Sequence, residues 1–340
     1  MKQSIFLIGD FPSATQAYFL SPLVHQATDA QLEAHWWSRK RAASIDGLLK
    51  MARPGDQVVV CRYLSRELIP ILEKLKVADI ELIYFMDDDL LDPAALLGLP
   101  IGYAWRLWGK ITCKRTLIVK LFSQIWVSNA HLAQKYQIQF KEVGIKKLSP
   151  LVEPLLLPKL PKAVAGAQAL QRSFNSVEIA YHATWSHKQE MQWLAPILEK
   201  IQNRFSHTQI TILGDARAQK IYNKIPRVKV LKALPWTEYV QYTKLHVIDI
   251  GLAPLLPTMF NTGRSPIKFF DYARCHAAGI YSDCSVYQEL IQHQTNGLLL
   301  KNDPDLWFEQ LCILIENASF RQELAHQAQL TALEHILQKA

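Results

Sequence analysis

Long apolar runs are missing from this sequence. No stretch approaches the roughly 18 uninterrupted apolar residues that a membrane span needs. The first residues, MKQSIFLIGDFPSA, hold only a short apolar run that reads as a strand and not as a secretory leader. Cysteine is scarce too: Cys61, Cys113, Cys275, Cys284 and Cys312 are scattered, odd in number and without C-x-x-C spacing. That argues against a disulfide framework or a zinc site and for a reducing compartment, so the expected location is cytoplasmic. Zinc-finger and RNP-type signatures are lacking, as are internal sequence repeats, and the histidines show no spacing of a ligand set. Nothing in these patterns favours nucleic acid.

What is present describes a folded, cation-rich chain. At 340 residues it exceeds what one hydrophobic core usually serves, so two domains are the default. Hydrophobic residues at 49% and charged residues at 20% are those of a globular protein. A net charge of +8 asks for an acidic partner: nucleic acid, anionic lipid or a phosphorylated small molecule.

Residues 1–155 alternate between strand and helix patterns. Strands are expected at 5–8, 35–37, 57–61 (QVVVC), 80–85 (IELIYF) and 124–127. A helix at 65–76 contains Pro70, which implies a kink, and another runs from Ser128-Asn129 to about Tyr136. Apolar strands separated by helices point to a parallel sheet covered on both faces, with ligands beyond the carboxyl ends of the strands. Asp10, Asp87 to Asp89 and Ser128 fall there. Residues 156–176 are proline-rich at their start, lack a strand pattern and read as a linker. A second alternating series fills 177–322, and residues 323–340 read as a terminal helix expected to pack back on the N-terminal domain. The fold class is α/β, with two Rossmann-like, doubly wound domains facing each other across a cleft.

One further segment stands out before position 124. GYAWRLWGKITCKRTLIVKLFSQIW carries Arg106, Lys110, Lys114, Arg115 and Lys120 among aromatic residues and holds no acid. Those cations are an expected contact for an anionic membrane surface, at its inner face, while the aromatic side is expected to pack on the domain.

The stretch at 260–279, FNTGRSPIKFFDYARCHAAG, gathers the chemistry. Ser265 is a good helix N-cap, Pro266 suits the first turn, and Gly279 supplies a stop. A helix entered from a strand through a polar loop aims free N–H groups at that loop, where an anion can sit. Arg264 and Lys268 add positive charge at that end. Asp271 lies on the face of Lys268, about 4.5 Å further along the axis. Phosphate at one end and hydroxyls at the other describe a nucleotide sugar. The bland reading is a surface pair of Lys268 with Asp271 on an ordinary helix.

Two such domains with that helix in the second resemble the GT-B glycosyltransferases, specifically their retaining, nucleotide-sugar-dependent branch (group 1, family 4-like). IAYHATWSHKQEM, FNTGRSPIKFFDYA and SDCSVYQELIQHQTNGLLL carry the likeness in the C-terminal half. IYFMDDDL and IWVSNAHLAQKY carry it more loosely in the N-terminal half. The resemblance implies transfer of a sugar from a UDP- or GDP-sugar to a glycan or lipid-linked acceptor, as in envelope polysaccharide synthesis. It implies no cofactor and no metal. Asp271 then takes the ribose hydroxyls. Lys268, His187, Lys188 and the amides of residues 265–267 take the diphosphate, and Thr184, Asn261, Arg264 and Ser265 complete the donor set. Gly214-Asp215 and residues 234–236 flank the base. Asp87 and Asp88 face the reacting carbon or the acceptor hydroxyl.

This sequence departs from the family at three places. Gly263 falls where the first of a usual pair of glutamates would be, His182-Ala183 replace a glycine, and Met86-Asp87 replace a histidine. Other readings stay open: a metal-dependent GT-A-like transferase using Asp87 to Asp89, a two-domain protein that binds a phosphorylated ligand without chemistry, or a nucleic-acid binder.

Overall fold

The computed structural model describes residues 3–24, 33–38, 42–151 and 176–337. Its contacts divide the chain into two compact units, Met1–Leu151 with Thr258–Ser265, and Val152–Pro257 with Pro266–Ala340. The linker expected at 156–176 lies outside the described residues except for Ser176.

In the first unit, β1 (Ser4–Gly9), β2 (Glu33–Ser38), β3 (Gln57–Cys61), β4 (Glu81–Met86), β5 (Gln124–Val127) and β6 (Gly144–Lys147) form a sheet in the order β2-β1-β3-β4-β5-β6. Every pairing is parallel. Phe6, Val58, Tyr84 and Ile125 sit in one apolar core with Leu72, Leu107 and Leu132 from the covering helices. Pro70 does not kink its helix. The helix begins at Ile69, so the proline falls in the first turn, where its missing N–H has no partner to lose.

The second unit holds β7 (Val177–His182), β8 (Thr208–Gly214), β9 (Val228–Lys232), β10 (Ile250–Ala253), β11 (Ala278–Ser282) and β12 (Leu298–Leu300). Their order is β12-β11-β10-β7-β8-β9, again wholly parallel. Strand order reverses between β7 and β10, and an open α/β sheet binds ligands beyond the carboxyl ends of its strands at that reversal. The α/β, doubly wound class expected from the sequence is therefore present in both units. The last helix, Ala318–Leu337, packs within its own unit on the helix Ile267–Arg274 and on β11.

Candidate donor site and acidic cluster

At the reversal in the second unit, β7 ends in His182, and residues Ala183 to Lys188 turn into the long helix Lys188–Arg204. Beside it β10 ends at Ala253, and Ile250 pairs with Ile179. The helix Ile267–Arg274 is seated on β10 through Tyr272. Gly251 makes this approach possible: a Cβ there would lie 2.4 Å from the Tyr272 ring. Tyr272 then donates from its hydroxyl to Leu252 O at 2.6 Å.

Two details of this helix differ from the expectation. Pro266, not Ser265, is the residue at its N-cap, with no side-chain cap bond. Proline has no N–H, so Ser265 and Ile267 are the donors left among residues 265–267. Gly279 is not the stop but part of β11. The chain turns instead at His276, whose φ of 55° is left-handed.

Lys268 donates from its ammonium to the carbonyl oxygen of His182 and lies 5.5 Å from the centre of the Tyr181 ring. That holds a full positive charge at the carboxyl end of β7. Asp271 is buried and faces Arg274 at 3.4 Å, while Arg274 donates to Thr243 Oγ1 at 2.6 Å. In the turn after β7, Thr184 Oγ1 is 3.0 Å from Ser186 Oγ, and Lys188 lies over Trp185. His187 is buried, 3.7 Å from Glu190, whose other oxygen accepts from Leu256 N at 3.2 Å. Glu190 thus joins the turn after β7 to the loop after β10. Asp215 caps the helix Ala216–Tyr222, accepting from Arg217 N at 2.9 Å and Ala218 N at 3.4 Å.

Sequence reasoning missed Glu190, Arg274 and Tyr239, and it treated His182 only as a departure. His182 Nδ1 is 2.9 Å from the Tyr239 hydroxyl. Burial, with Lys268 and Arg274 close by, pushes the imidazole pKa down to about 3. The ring is neutral at physiological pH and adds no charge beside Lys268.

Asn261, Arg264 and Ser265 belong to the first unit, and Lys268 and Asp271 to the second. Asn261 Oδ1 accepts from Arg264 Nε at 3.0 Å, and Arg264 O accepts from Asn129 Nδ2 at 2.8 Å. The Arg264 guanidinium reaches Asp88 at 3.7 Å. Gly263 is pressed against the acidic cluster: a Cβ there would lie 2.7 Å from Asp89 Cβ and 3.0 Å from Leu132 Cδ2. Any side chain in this place would force Asp89 to shift.

The three aspartates after β4 are held by cations. Arg62 donates to Asp87 at 2.6 Å and to Asp88 at 3.1 Å, and Thr15 gives Asp87 a second bond at 2.6 Å. Lys135 pairs with Asp89 at 2.6 Å, and the Tyr136 hydroxyl donates to the same carboxylate. Burial opposes the charge on Arg62, but Asp87 and Asp88 hold its pKa well above the ordinary value. Burial raises the Asp87 carboxyl, against the pull of Arg62. A proton-accepting role for Asp87 would require these contacts to break first. Among the described residues, no group of three His, Cys, Asp or Glu side chains is arranged to hold a metal ion.

The expected basic set divides among three places. Arg106 and Lys110 stand exposed on the helix Ile101–Lys110. Lys114 is drawn to the Leu64 carbonyl, and Arg115 and Lys120 line a separate hollow with Lys76 and Phe140.

Residues 177–317 match the family model described as glycosyl transferases group 1. The fold is GT-B. The Anabaena HepE structure with UDP and glucose superposes with a TM-score of 0.64 at 13% identity, covering 100% of this chain and 97% of that one. Sucrose-phosphate synthase from Thermosynechococcus elongatus gives 0.67 at 11%, covering 99% and 97%. A trehalose-phosphate synthase from Burkholderia vietnamiensis gives 0.62 at 9%, also covering 99% and 97%. At such identities the likeness establishes the fold alone, here the GT-B fold that the motifs led us to expect. No curated protein matches the sequence.

Proposed function

We propose that this chain is a glycosyltransferase that moves a sugar from a UDP- or GDP-sugar to a glycan or lipid-linked acceptor, in envelope polysaccharide synthesis. The observation that carries the reading is Lys268 at the carboxyl end of β7, one helical turn before the buried Asp271, within the span matching group 1. Transfer needs a group that stabilises charge on the departing diphosphate. In this reading Lys268, His187, Lys188 and the first turn of the helix Ile267–Arg274 supply it. Asp271 takes the ribose hydroxyls, with Arg274 orienting its carboxylate. Thr184 borders the diphosphate.

Asp87 and Asp88 are assigned to the acceptor side, where Arg62 sets their position. The metal-dependent alternative draws little support, since the carboxylates it would use are already compensated by Arg62, Arg264 and Lys135. Retention of anomeric configuration and independence of metal are part of this proposal.

The test is release of UDP or GDP from a panel of sugar nucleotides offered with glycan and lipid-linked acceptors. Acceptor-dependent release that survives EDTA is the expected result, with the product anomer read by NMR. Tight nucleotide binding without release across the panel supports a non-catalytic binder. Activity lost to EDTA and restored by Mn²⁺ supports the metal-dependent reading.

A further inference from the structure

The helix Ile101–Lys110 in the first unit presents its apolar side chains outward. Leu107 is buried and anchors it, yet Ile101 is 78% exposed, Trp105 69% and Trp108 41%, with Leu97 just upstream at 86%. Ile101, Trp105 and Trp108 recur at i, i+4 and i+7, so they form one stripe along the helix. With Leu97 they rim a groove of about 480 Å³ floored by Leu96 and Leu99. Isolated exposed apolar residues need no explanation, but a contiguous row containing two indoles marks a contact surface.

Charge identifies the occupant. At 100° per residue, Arg106 lies about a quarter turn round from Trp105, and Lys110 follows it on the same flank. Arg106 lies 4.8 Å from the centre of the Tyr103 ring, and Lys110 lies 5.4 Å from that of Tyr63. The chain has no Asp or Glu between Asp92 and Glu142. An isologous contact with a second copy would bring these cations together with no acid in the patch to pair them. An anionic bilayer accepts both halves: indoles and aliphatic side chains settle at the headgroup boundary, and flanking Arg and Lys reach lipid phosphates. Among the described residues no helix is long and apolar enough to cross a membrane, so the contact is one of lying on the surface.

We propose that Leu97, Ile101, Trp105 and Trp108, flanked by Arg106 and Lys110, dock the chain on an anionic phospholipid bilayer. This does not depend on the transferase reading, because none of these residues belongs to the proposed donor site.

The test is flotation of the full chain with phosphatidylcholine vesicles, with and without phosphatidylglycerol. It is repeated for Ile101→Ser with Trp105→Ser, and for Arg106→Gln with Lys110→Gln. Thermal melting and circular dichroism serve as controls on the fold. The expected result is binding that needs phosphatidylglycerol and falls about tenfold or more in each double variant. Quenching of the native chain's tryptophans by brominated lipid, reduced in Trp105→Ser, is also expected. The proposal is overturned if the native chain does not float. Double variants that bind like the native chain overturn it too, as does a dimer that the Ile101 and Trp105 changes dissociate without any vesicle binding.

Discussion

Lys268 donates its ammonium hydrogen bond to the main-chain carbonyl of His182, the last residue of β7. One side chain thereby links the helix Ile267–Arg274 to the point where strand order reverses. If its charge also stabilises a departing diphosphate, Lys268→Ala lowers kcat by roughly a hundredfold or more. The cost in folding free energy stays near that of one hydrogen bond, about 1 kcal/mol. Steady-state kinetics beside urea denaturation separate the two effects. Unchanged kcat in a folded variant removes Lys268 from the diphosphate.

Asp271 is tested best by Asp271→Asn, which keeps an oxygen facing Arg274. Loss of charge-assisted contacts to ribose weakens nucleotide binding by about 1–3 kcal/mol, roughly 5- to 150-fold in Kd. Calorimetric titration with UDP and GDP gives the number. Equal affinity in a folded variant removes Asp271 from the nucleotide site.

His182 makes stability depend on pH in a defined direction. Its pKa is about 3 in the folded chain against 6.5 ordinarily, with burial the main cause. Below 6.5 the unfolded chain takes up a proton that the native imidazole refuses, so stability falls as pH drops towards 3. Near pH 5 this amounts to about 2 kcal/mol. His182→Asn removes that share of the loss. Urea midpoints for both proteins at neutral and mildly acid pH measure the difference, and parallel losses would contradict the assignment.

Gly263→Ala tests the packing under the missing glutamate. The added methyl meets Asp89 Cβ and Leu132, and forced overpacking typically costs about 1–3 kcal/mol. A urea midpoint equal to that of the native chain would show that the loop yields freely.

The fold was largely legible because buried parallel strands are short apolar runs. QVVVC at 57–61 and QIWV at 124–127 correspond residue for residue to β3 and β5. β6 went unseen because GIKK is a largely exposed edge segment with two lysines, and apolar patterning cannot report it. That Lys268 and Asp271 share one helix was legible from their spacing. The contacts joining His182, Tyr239, Thr243 and Arg274 were not, since those side chains come from different elements and meet only in the folded unit. The cations that compensate Asp87 to Asp89 were hidden for the same reason: Arg62, Lys135 and Arg264 are far apart in the chain.

The central claim is that the second unit binds a nucleotide sugar at the carboxyl ends of β7 and β10. The most direct measurement is the thermal unfolding midpoint of the native chain, Lys268→Ala and Asp271→Asn with UDP, GDP and their sugar derivatives. A ligand that binds only the folded state raises the midpoint by mass action. The account predicts a dose-dependent rise for one nucleotide in the native chain, reduced in both variants. No rise with any nucleotide, or an equal rise in all three proteins, would contradict it.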